Sequence, residues 1–277
     1  MLEIPESKTI AEQVQETLVG KTVTRVENAT SPHKFAWYEG DPLTYGSLLS
    51  GRKIETANGH GMYVDIHLDK EVHITVGDGT NLRFYSPIEK QPAKHQLLLE
   101  FDDGSFFAFT IAMYGGIYAY KGARRDDKYY SGSLNSISPL SEKFDKIFFE
   151  NIFRSVKKDL SAKALLATEQ RIPGLGNGVL QDILFNSGIN PRRKISTISD
   201  LEKEDLFHNL KFNLRTMTDK GGRDTEKDLF GKAGGYKTIL SKNTYKNPCP
   251  ICDSAIVKEA YLGGSVYYCP TCQPLKK

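Results

Sequence analysis

Apolar and polar residues alternate over short distances in the first half of the chain, and this pattern predicts β-structure. The stretches TVTRVEN, KIETANGHGMYVDIHL and HQLLLEFDDGSFFAFTIAMYGGIYAY all follow it. The segment FDDGSFF places Asp-Gly between two apolar runs, which is the signal of a β-hairpin. Several short strands in succession predict a β-sandwich or a barrel.

Helical spacing occurs at the start of the chain and again in its second half. Residues 7–19 carry apolar side chains at every fourth position, which predicts an amphipathic helix. Ser7 is its candidate N-cap and Gly20 its candidate end. Further helices are expected at residues 141–156, 162–170 and 201–218 and in the segment GVLQDILF.

The change from one pattern to the other predicts an α+β protein with three units. We expect residues 1–135 to form an N-terminal helix and a β-sandwich, and residues 136–240 to form a helical domain. Residues 241–277 are expected to form a small hairpin. The polar, turn-rich segment RRDDKYYSGSLNS is the expected linker between the first two units.

Charge is distributed unevenly along the 277 residues. Residues 1–135 hold 14 Lys and Arg against 18 Asp and Glu, whereas residues 136–277 hold 23 against 16. A basic half suits a polyanion such as nucleic acid, and an ordinary solvated surface is the alternative. No apolar run approaches the roughly 20 residues that a membrane span needs. Since no secretion signal is recognisable, we expect a cytoplasmic protein with no membrane partner.

All four cysteines lie near the C-terminus, with the spacing C-x2-C-x16-C-x2-C. Cys249, Cys252, Cys269 and Cys272 can together supply the four thiolates of a tetrahedral Zn²⁺ site. Disulfides or free thiols are the alternatives, and a reducing compartment disfavours disulfides. Two short strands between the CxxC pairs, joined at Gly263-Gly264, predict a zinc-finger β-hairpin holding one structural ion.

The segment PGLGN is followed directly by a predicted helix. A helix start presents backbone N–H groups and the side chain of Asn177 to an anion, so it is a candidate phosphate site. A plain connection between two helices is the alternative. Arg192, Arg193 and Lys194 follow just beyond that helix and resemble a helix–turn–helix element that grips a nucleic-acid backbone.

Several of these motifs, taken in order, resemble the formamidopyrimidine-DNA glycosylase / endonuclease VIII family. QRIPGLGNGVLQDILFNSGINPRRK is similar to the helix–two-turn–helix motif of that family, and MLEIPE is similar to its catalytic N-terminus. GGRDTEKDLFGKAGGYKTIL resembles the segment before the family's zinc finger. The resemblance covers nearly the whole chain, and it implies a monomeric two-domain clamp around damaged or abasic DNA.

The resemblance also implies a chemistry for the N-terminus. In the family, an N-terminal amine attacks C1′ of the damaged nucleotide and forms a Schiff base, while a nearby carboxylate transfers protons. Glu3 matches the catalytic glutamate of the family, and Glu6 matches the second carboxylate of the motif. Stabilisation of a helix dipole by acidic residues in the first turn is the alternative role for both.

The nucleophile departs from the family pattern. The family's proline is Leu2 here, and because a large second residue disfavours methionine removal, the terminal amine should belong to Met1. A primary amine can still form a Schiff base, although its displacement by one residue changes the geometry. Lys8 is a second candidate amine, and an exposed helix lysine is its ordinary interpretation.

The DNA contacts depart from the family pattern as well. Met62 and Gly264 stand where the family has a phosphate-binding Lys and Arg, and neither can make a charged contact. The loop residue that fills the void of the flipped base aligns with Asp78. Met113 and Tyr114 are the candidate wedge residues, with core packing as the alternative for Tyr114. Remaining DNA contacts are expected from Gln170, Arg171, Asn177, Arg192 and Arg193.

These observations support two hypotheses of different kinds. The first is an active glycosylase in which Glu3 transfers a proton or activates water, with or without lyase activity from Met1. The second is a non-catalytic binder of damaged or abasic DNA, because the proline and two cationic ligands are missing. A zinc-stabilised RNA-binding protein is a third interpretation. If the protein binds DNA, we expect it to associate with the nucleoid.

Overall fold

A computed structural model of the protein describes residues 2–77, 79–123 and 127–276, which form an α+β fold. The helices are α1 (Ile4–Leu18), α2 (Tyr45–Leu49), α3 (Lys128–Leu134), α4 (Lys146–Arg154), α5 (Ala162–Ala167), α6 (Asn177–Asn186) and α7 (Asp200–Asp219). The strands are β1 (Val23–Asn28), β2 (Ala36–Tyr38), β3 (Ile54–His60), β4 (Tyr63–Leu68), β5 (Val72–Val76), β6 (Thr80–Tyr85), β7 (Leu97–Phe101), β8 (Phe106–Ile111), β9 (Gly115–Lys121), β10 (Val257–Tyr261) and β11 (Gly264–Tyr268).

The strands of the first half form a β-sandwich. One sheet has the order β1-β7-β8-β6 and the other the order β2-β9-β5-β4-β3. Strands β7 and β8 pair antiparallel around the Asp-Gly turn, so the hairpin predicted in FDDGSFF is confirmed. Apolar side chains from both sheets, among them Leu99, Phe109 and Ile74, form one buried cluster. The sandwich therefore follows the alternation of the sequence.

Helix α1 covers one edge of this cluster. Val14 and Leu18 are fully buried, which confirms the predicted apolar face. The helix begins at Ile4, earlier than expected, and its N-cap is Glu3 rather than Ser7. The Ser7 hydroxyl instead donates to the backbone oxygen of Gly61, 2.8 Å away, in the turn between β3 and β4.

The second half is helical and has its own core. Helix α6 lies at its centre, with Val179, Leu180 and Ile183 fully buried. Helix α5 ends at Ala167, before the expected residue 170, because Glu169 and Gln170 adopt left-handed backbone angles. Helix α4 is also shorter than expected and begins after Asp145, whose carboxylate accepts from the N–H of Phe148.

The polar segment expected to be a linker contains helix α3. Its Tyr130 hydroxyl donates to the buried carboxylate of Asp65 over 2.9 Å, and Ser133 contacts the ring of His60 at the same distance. Helix α3 is therefore tied to strand β4 and the end of β3. The C-terminal hairpin pairs β10 with β11, and its turn lies at Leu262-Gly263, one residue before the predicted position.

Each of the two larger cores contains one side chain from the other half of the chain. Ile4, at the start of α1, packs in the helical cluster, whereas Leu229, from the loop after α7, packs in the sandwich cluster. The N–H of Ile4 also donates to the backbone oxygen of Gly174 before α6. The start of α1 is therefore held against the segment before α6.

Candidate active site and metal centre

The carboxylate of Glu3 caps the N-terminus of α6. Its Oε1 accepts from the N–H of Gly178 and its Oε2 from the N–H of Val179, both over 2.8 Å. These N–H groups have no partner within the helix, and the positive end of the helix dipole favours an anion there. Glu3 is 3 % exposed. Burial raises the pKa of Glu3, and the nearby charge of Arg223 opposes this rise.

Glu3 is on the wall of a cavity of about 190 Å³ at the start of α6. The other residues around this cavity, here called the α6 cavity, include Asn177, Gln181, Arg223, Thr238 and Tyr267. Asp182 of α6 fixes a further part of the wall, because its carboxylate accepts from the N–H groups of Ile239 and Leu240. The α6 cavity thus combines one buried carboxylate with polar groups from several segments.

Glu6 has a different environment from Glu3. Both of its oxygens accept from the guanidinium of Arg223, over 3.0 and 2.8 Å, and it is not among the described residues that surround the α6 cavity. The resemblance implied a catalytic Glu6. In the structure its carboxylate is engaged in a buried ion pair with Arg223, and a catalytic role for Glu6 stays a prediction.

Arg223 is a residue of this site that the sequence did not single out. It is 2 % exposed and follows Gly221-Gly222 in the loop after α7. Its Nη1 lies 3.6 Å from Oε2 of Glu3. No periodicity or spacing marks a single arginine in a loop more than 200 positions from its partners in the printed chain.

Three residues near the N-terminus concern the identity of the proposed nucleophile. Leu2 is buried in the sandwich cluster, so this side chain serves packing. Met1, the candidate nucleophile, lies outside the described residues. Lys8 pairs with Glu12 one turn along α1 at 3.3 Å and is half exposed, which matches its ordinary interpretation.

Three of the predicted DNA-binding residues line two separate cavities. Asn177 lies at the α6 cavity, where its amide nitrogen donates to the backbone oxygen of Ser265 in the hairpin. Among the described residues its buried Oδ1 has no partner. Gln170 and Tyr114 instead meet at a second cavity of about 330 Å³, whose walls also include Trp37, Met62, Tyr63, Tyr118 and Tyr129.

Tyr114 of the candidate wedge and Gln170 of the loop before α6 both line the second cavity. Met113 is 63 % exposed, and the rings of Tyr114 and Trp37 lie 6.1 Å apart. The Gln170 side chain accepts from the N–H of Gly174, so it supports the turn before α6. Arg171 donates to backbone oxygens of Ala164 and Thr168. Asp78 lies outside the described residues.

The neighbouring arginines after α6 differ in exposure. Arg192 is half exposed and stacks on the ring of Tyr261, 4.6 Å from its centroid. Arg193 is 1 % exposed and makes two hydrogen bonds of 2.7 Å to Glu202 of α7. The prediction that Arg193 contacts DNA is therefore corrected: its guanidinium is buried and committed to Glu202.

The four cysteines form one cluster at the base of the hairpin, and it is positioned to bind a metal ion. Their sulfur atoms all lie within 4.8 Å of one another. Cys252 lies 3.4 Å from both Cys269 and Cys272, and Cys249 lies 3.8 Å from Cys272. A tetrahedron with metal–sulfur bonds of about 2.3 Å has edges of about 3.8 Å, so the cluster fits such an ion.

Comparisons with known proteins agree with this fold over its full length. Residues 1–126 match the family model described as the formamidopyrimidine-DNA glycosylase N-terminal domain. Formamidopyrimidine-DNA glycosylases from Pelotomaculum thermopropionicum and Shouchella clausii are 28 % and 26 % identical, and each alignment covers at least 99 % of both chains. The chain is therefore similar to formamidopyrimidine-DNA glycosylases over its whole length.

Solved structures show the same fold. The MutM (Fpg) protein of Thermus thermophilus superposes with a TM-score of 0.79 at 22 % identity, covering 99 % of this chain and all of that one. Lactococcus lactis Fpg, in a complex with DNA that contains an abasic site, superposes equally well at 20 % identity, covering 98 % and 99 % of the two chains. None of the helices in the described ranges is long and apolar enough to cross a membrane.

Proposed function

We propose that this protein acts in base-excision repair, binding damaged DNA and removing a damaged base by cleavage of its N-glycosidic bond. The observation that carries the proposal is the position of Glu3. Its carboxylate is buried, fixed by two N–H groups of α6 and open to the α6 cavity. A buried, oriented carboxylate in a cavity is the arrangement that general acid–base catalysis requires.

Glu3 would transfer the proton in this reaction. Each carboxylate oxygen has a lone pair left after accepting one backbone N–H, so it can accept a proton from water or from an attacking amine. The start of α6 stabilises the charged form of Glu3 before the proton arrives and therefore favours the base role. The amine of Met1 remains the proposed nucleophile if the bond is cleaved by Schiff-base chemistry.

DNA binding would use groups at the two cavities together with side chains elsewhere on the surface. Asn177 has a second amide hydrogen for a phosphate oxygen, because among the described residues only one of its N–H donors is engaged. Arg192 offers a charged contact. Met113 and Tyr114 would fill the space left by an extruded base, since base flipping needs such a wedge. Gln170 and Arg171 would support the turn that carries Asn177.

The cysteine cluster would hold one Zn²⁺ ion. Four thiolates leave no open coordination position, so the ion would be structural. It would fix a hairpin whose Ser265 accepts from Asn177 and whose Tyr267 donates to Gln181. Zinc would therefore support the α6 cavity indirectly. With the units 1–135, 136–240 and 241–277 arranged as one clamp, the protein would act as a monomer at the nucleoid.

The function is tested by incubating the protein with single- and double-stranded oligonucleotides that each carry one damaged base. Release of the free base is measured by mass spectrometry, and binding of the same oligonucleotides is measured in parallel. We expect release from at least one lesion. Binding of an abasic site without release from any lesion would contradict the proposal.

Borohydride added to the same reactions identifies the nucleophile. An adduct at Met1 would mean that the terminal amine reaches C1′, and an adduct at Lys8 would move the nucleophile to α1. Base release without any adduct would mean that water is the nucleophile and that the enzyme lacks lyase activity.

A second candidate function is non-catalytic binding of damaged or abasic DNA. It is favoured by Met62, which faces the second cavity at the place of a family lysine, and by Gly264, which lies beside the amide of Asn177. Loss of both cations weakens the hold on the phosphates that catalysis needs. The release assay separates this function from the first.

A further inference from the structure

Arg223 joins the two acidic residues of the N-terminal motif. Its Nε and Nη2 donate to Oε1 and Oε2 of Glu6, and its backbone N–H donates to Oε1 as well. The paired contact fixes the plane of the guanidinium, because both of its edges must match the carboxylate. The remaining nitrogen, Nη1, then points toward Glu3 and lies 3.6 Å from its Oε2.

Gly178 provides the space for this nitrogen. A Cβ atom at position 178 would lie 1.5 Å from Nη1 of Arg223, a distance that no side chain can tolerate. The backbone of Gly178 is helical and needs no glycine, and glycine destabilises a helix relative to alanine. The glycine is therefore explained by the guanidinium it accommodates, and positions 178 and 223 form a matched pair.

Among the charged residues around Glu3, Arg223 is the cation with the largest effect on its pKa. Charged residues facing Glu3 or its partner come from several elements: Glu6 of α1, Asp182 of α6, Glu226 and Lys242 at the α6 cavity, and Arg223 itself. Two buried carboxylates share the guanidinium of Arg223, so the cluster of Glu3, Glu6 and Arg223 carries one excess negative charge when both carboxylates are ionised. Its proton affinity depends directly on the arginine.

We propose that Arg223 is a positioning residue of the active site, clamped by Glu6 in the space left by Gly178, which holds the Glu3 carboxylate charged and aimed at the start of α6. The inference rests on the proposed glycosylase function. It assigns Glu6 to the support of Arg223, and it explains how a carboxylate as buried as Glu3 remains available as a base.

The sign of the pH effect follows from the geometry. Burial raises the pKa of Glu3 and Arg223 lowers it. Without the cation the pKa would rise further, so the limb of the rate profile that reports Glu3 must move to higher pH. An opposite charge within about 4–6 Å shifts a carboxyl pKa by about 1–3 units, and we expect a movement of about 1–2 pH units.

The test is the pH dependence of kcat/KM for base release by Arg223→Gln and Arg223→Lys, with thermal unfolding measured for each. Arg223→Gln should move the limb upward, and Arg223→Lys, which keeps the charge, should restore most of its position. The control is Arg25→Gln. Arg25 also pairs with two carboxylates, Glu27 and Glu100, but on the exposed surface of the sandwich, and its loss should leave the profile unchanged.

Gly178→Ala provides a second, independent variant that is expected to fold, because alanine favours a helix. It should displace the guanidinium and move the limb upward, with a smaller effect in the Arg223→Gln background. Its Cβ would also lie 2.9 Å from Oε1 of Glu3, and the double variant measures that contact alone.

The outcomes separate the inference from the function it rests on. If the wild-type protein releases no base from any lesion, the proposed function fails, and there is no pH profile of base release to compare between variants. If the wild type is active and both Arg223→Gln and Gly178→Ala leave the limb in place, the inference is overturned. Equal effects of Gly178→Ala in both backgrounds would overturn it as well.

Discussion

Adjacent arginines have opposite environments in this protein. Arg192 and Arg193 follow the same helix and look equivalent in the sequence, yet one stacks on the half-buried ring of Tyr261 and the other is buried against Glu202. Glu202 also completes the capping box of α7 with Ser199. Arg193 thus ties the end of the helix–two-turn–helix motif to the start of α7, and this contact belongs to stability rather than to DNA recognition.

Arg193→Gln should lower the free energy of unfolding by about 3 kcal/mol, the low end of the range for breaking a buried ion pair. The low end applies because Glu202 keeps Lys276 as a partner. Arg192→Gln should instead leave thermal unfolding nearly unchanged and reduce the salt dependence of DNA binding by about one unit of slope. Unfolding scans and salt titrations of both variants check this, and the reverse assignment of effects would contradict it.

At the scale of the elements, hydrogen bonds connect the C-terminal hairpin to α6 and to α5. The amides of Asn177 and Gln181 both donate to the backbone oxygen of Ser265, and Lys163 of α5 donates to the backbone oxygen of Tyr261. The four-cysteine cluster at the base of the hairpin is positioned to bind a metal ion, which would hold the hairpin in register. An effect at the cysteines is therefore transmitted to the residue proposed to meet a phosphate.

Removal of the metal should loosen the hairpin and weaken binding to abasic DNA, because metal binding and folding are coupled in such sites. Metal analysis should find one zinc per chain, and chelation should reduce DNA affinity in a manner that added zinc reverses. Cys269→Ser should reproduce the loss. A metal-free Cys269→Ser protein that binds abasic DNA as tightly as the wild type would contradict this role.

Over the whole molecule, the sequence predicted features that are local or strongly patterned. The alternation of the first half gave the sandwich, the spacing of Val14 and Leu18 gave the buried face of α1, and the CxxC pairs gave the sulfur cluster. Each depends on neighbours within one element or on a motif with a single geometry. The exact helix starts did not follow, since they depend on which distant group satisfies the first N–H donors.

Contacts between distant segments escaped prediction for a physical reason. Glu3 caps a helix more than 170 residues away, and Glu6 holds Arg223 from the opposite end of the chain. Such pairs leave no periodic signal in a single sequence. The sequence places Gly178 inside a predicted helix, where no turn requires a glycine, so its position could have been noticed. Only the structure shows that the guanidinium of Arg223 requires it.

In the proposed mechanism, base release depends above all on Glu3 as the group that transfers the proton. The most direct measurement is the single-turnover rate of release from the best lesion for wild type, Glu3→Gln and Glu12→Gln. Glu12 is the matched control, because it is an exposed glutamate on the same helix. DNA affinity and thermal unfolding are recorded for all three proteins.

We predict that Glu3→Gln lowers the rate by at least about 100-fold, the usual contribution of a general acid or base, while Glu12→Gln stays close to the wild type. A folded Glu3→Gln protein that still binds DNA and releases the base at close to the wild-type rate would contradict this mechanism.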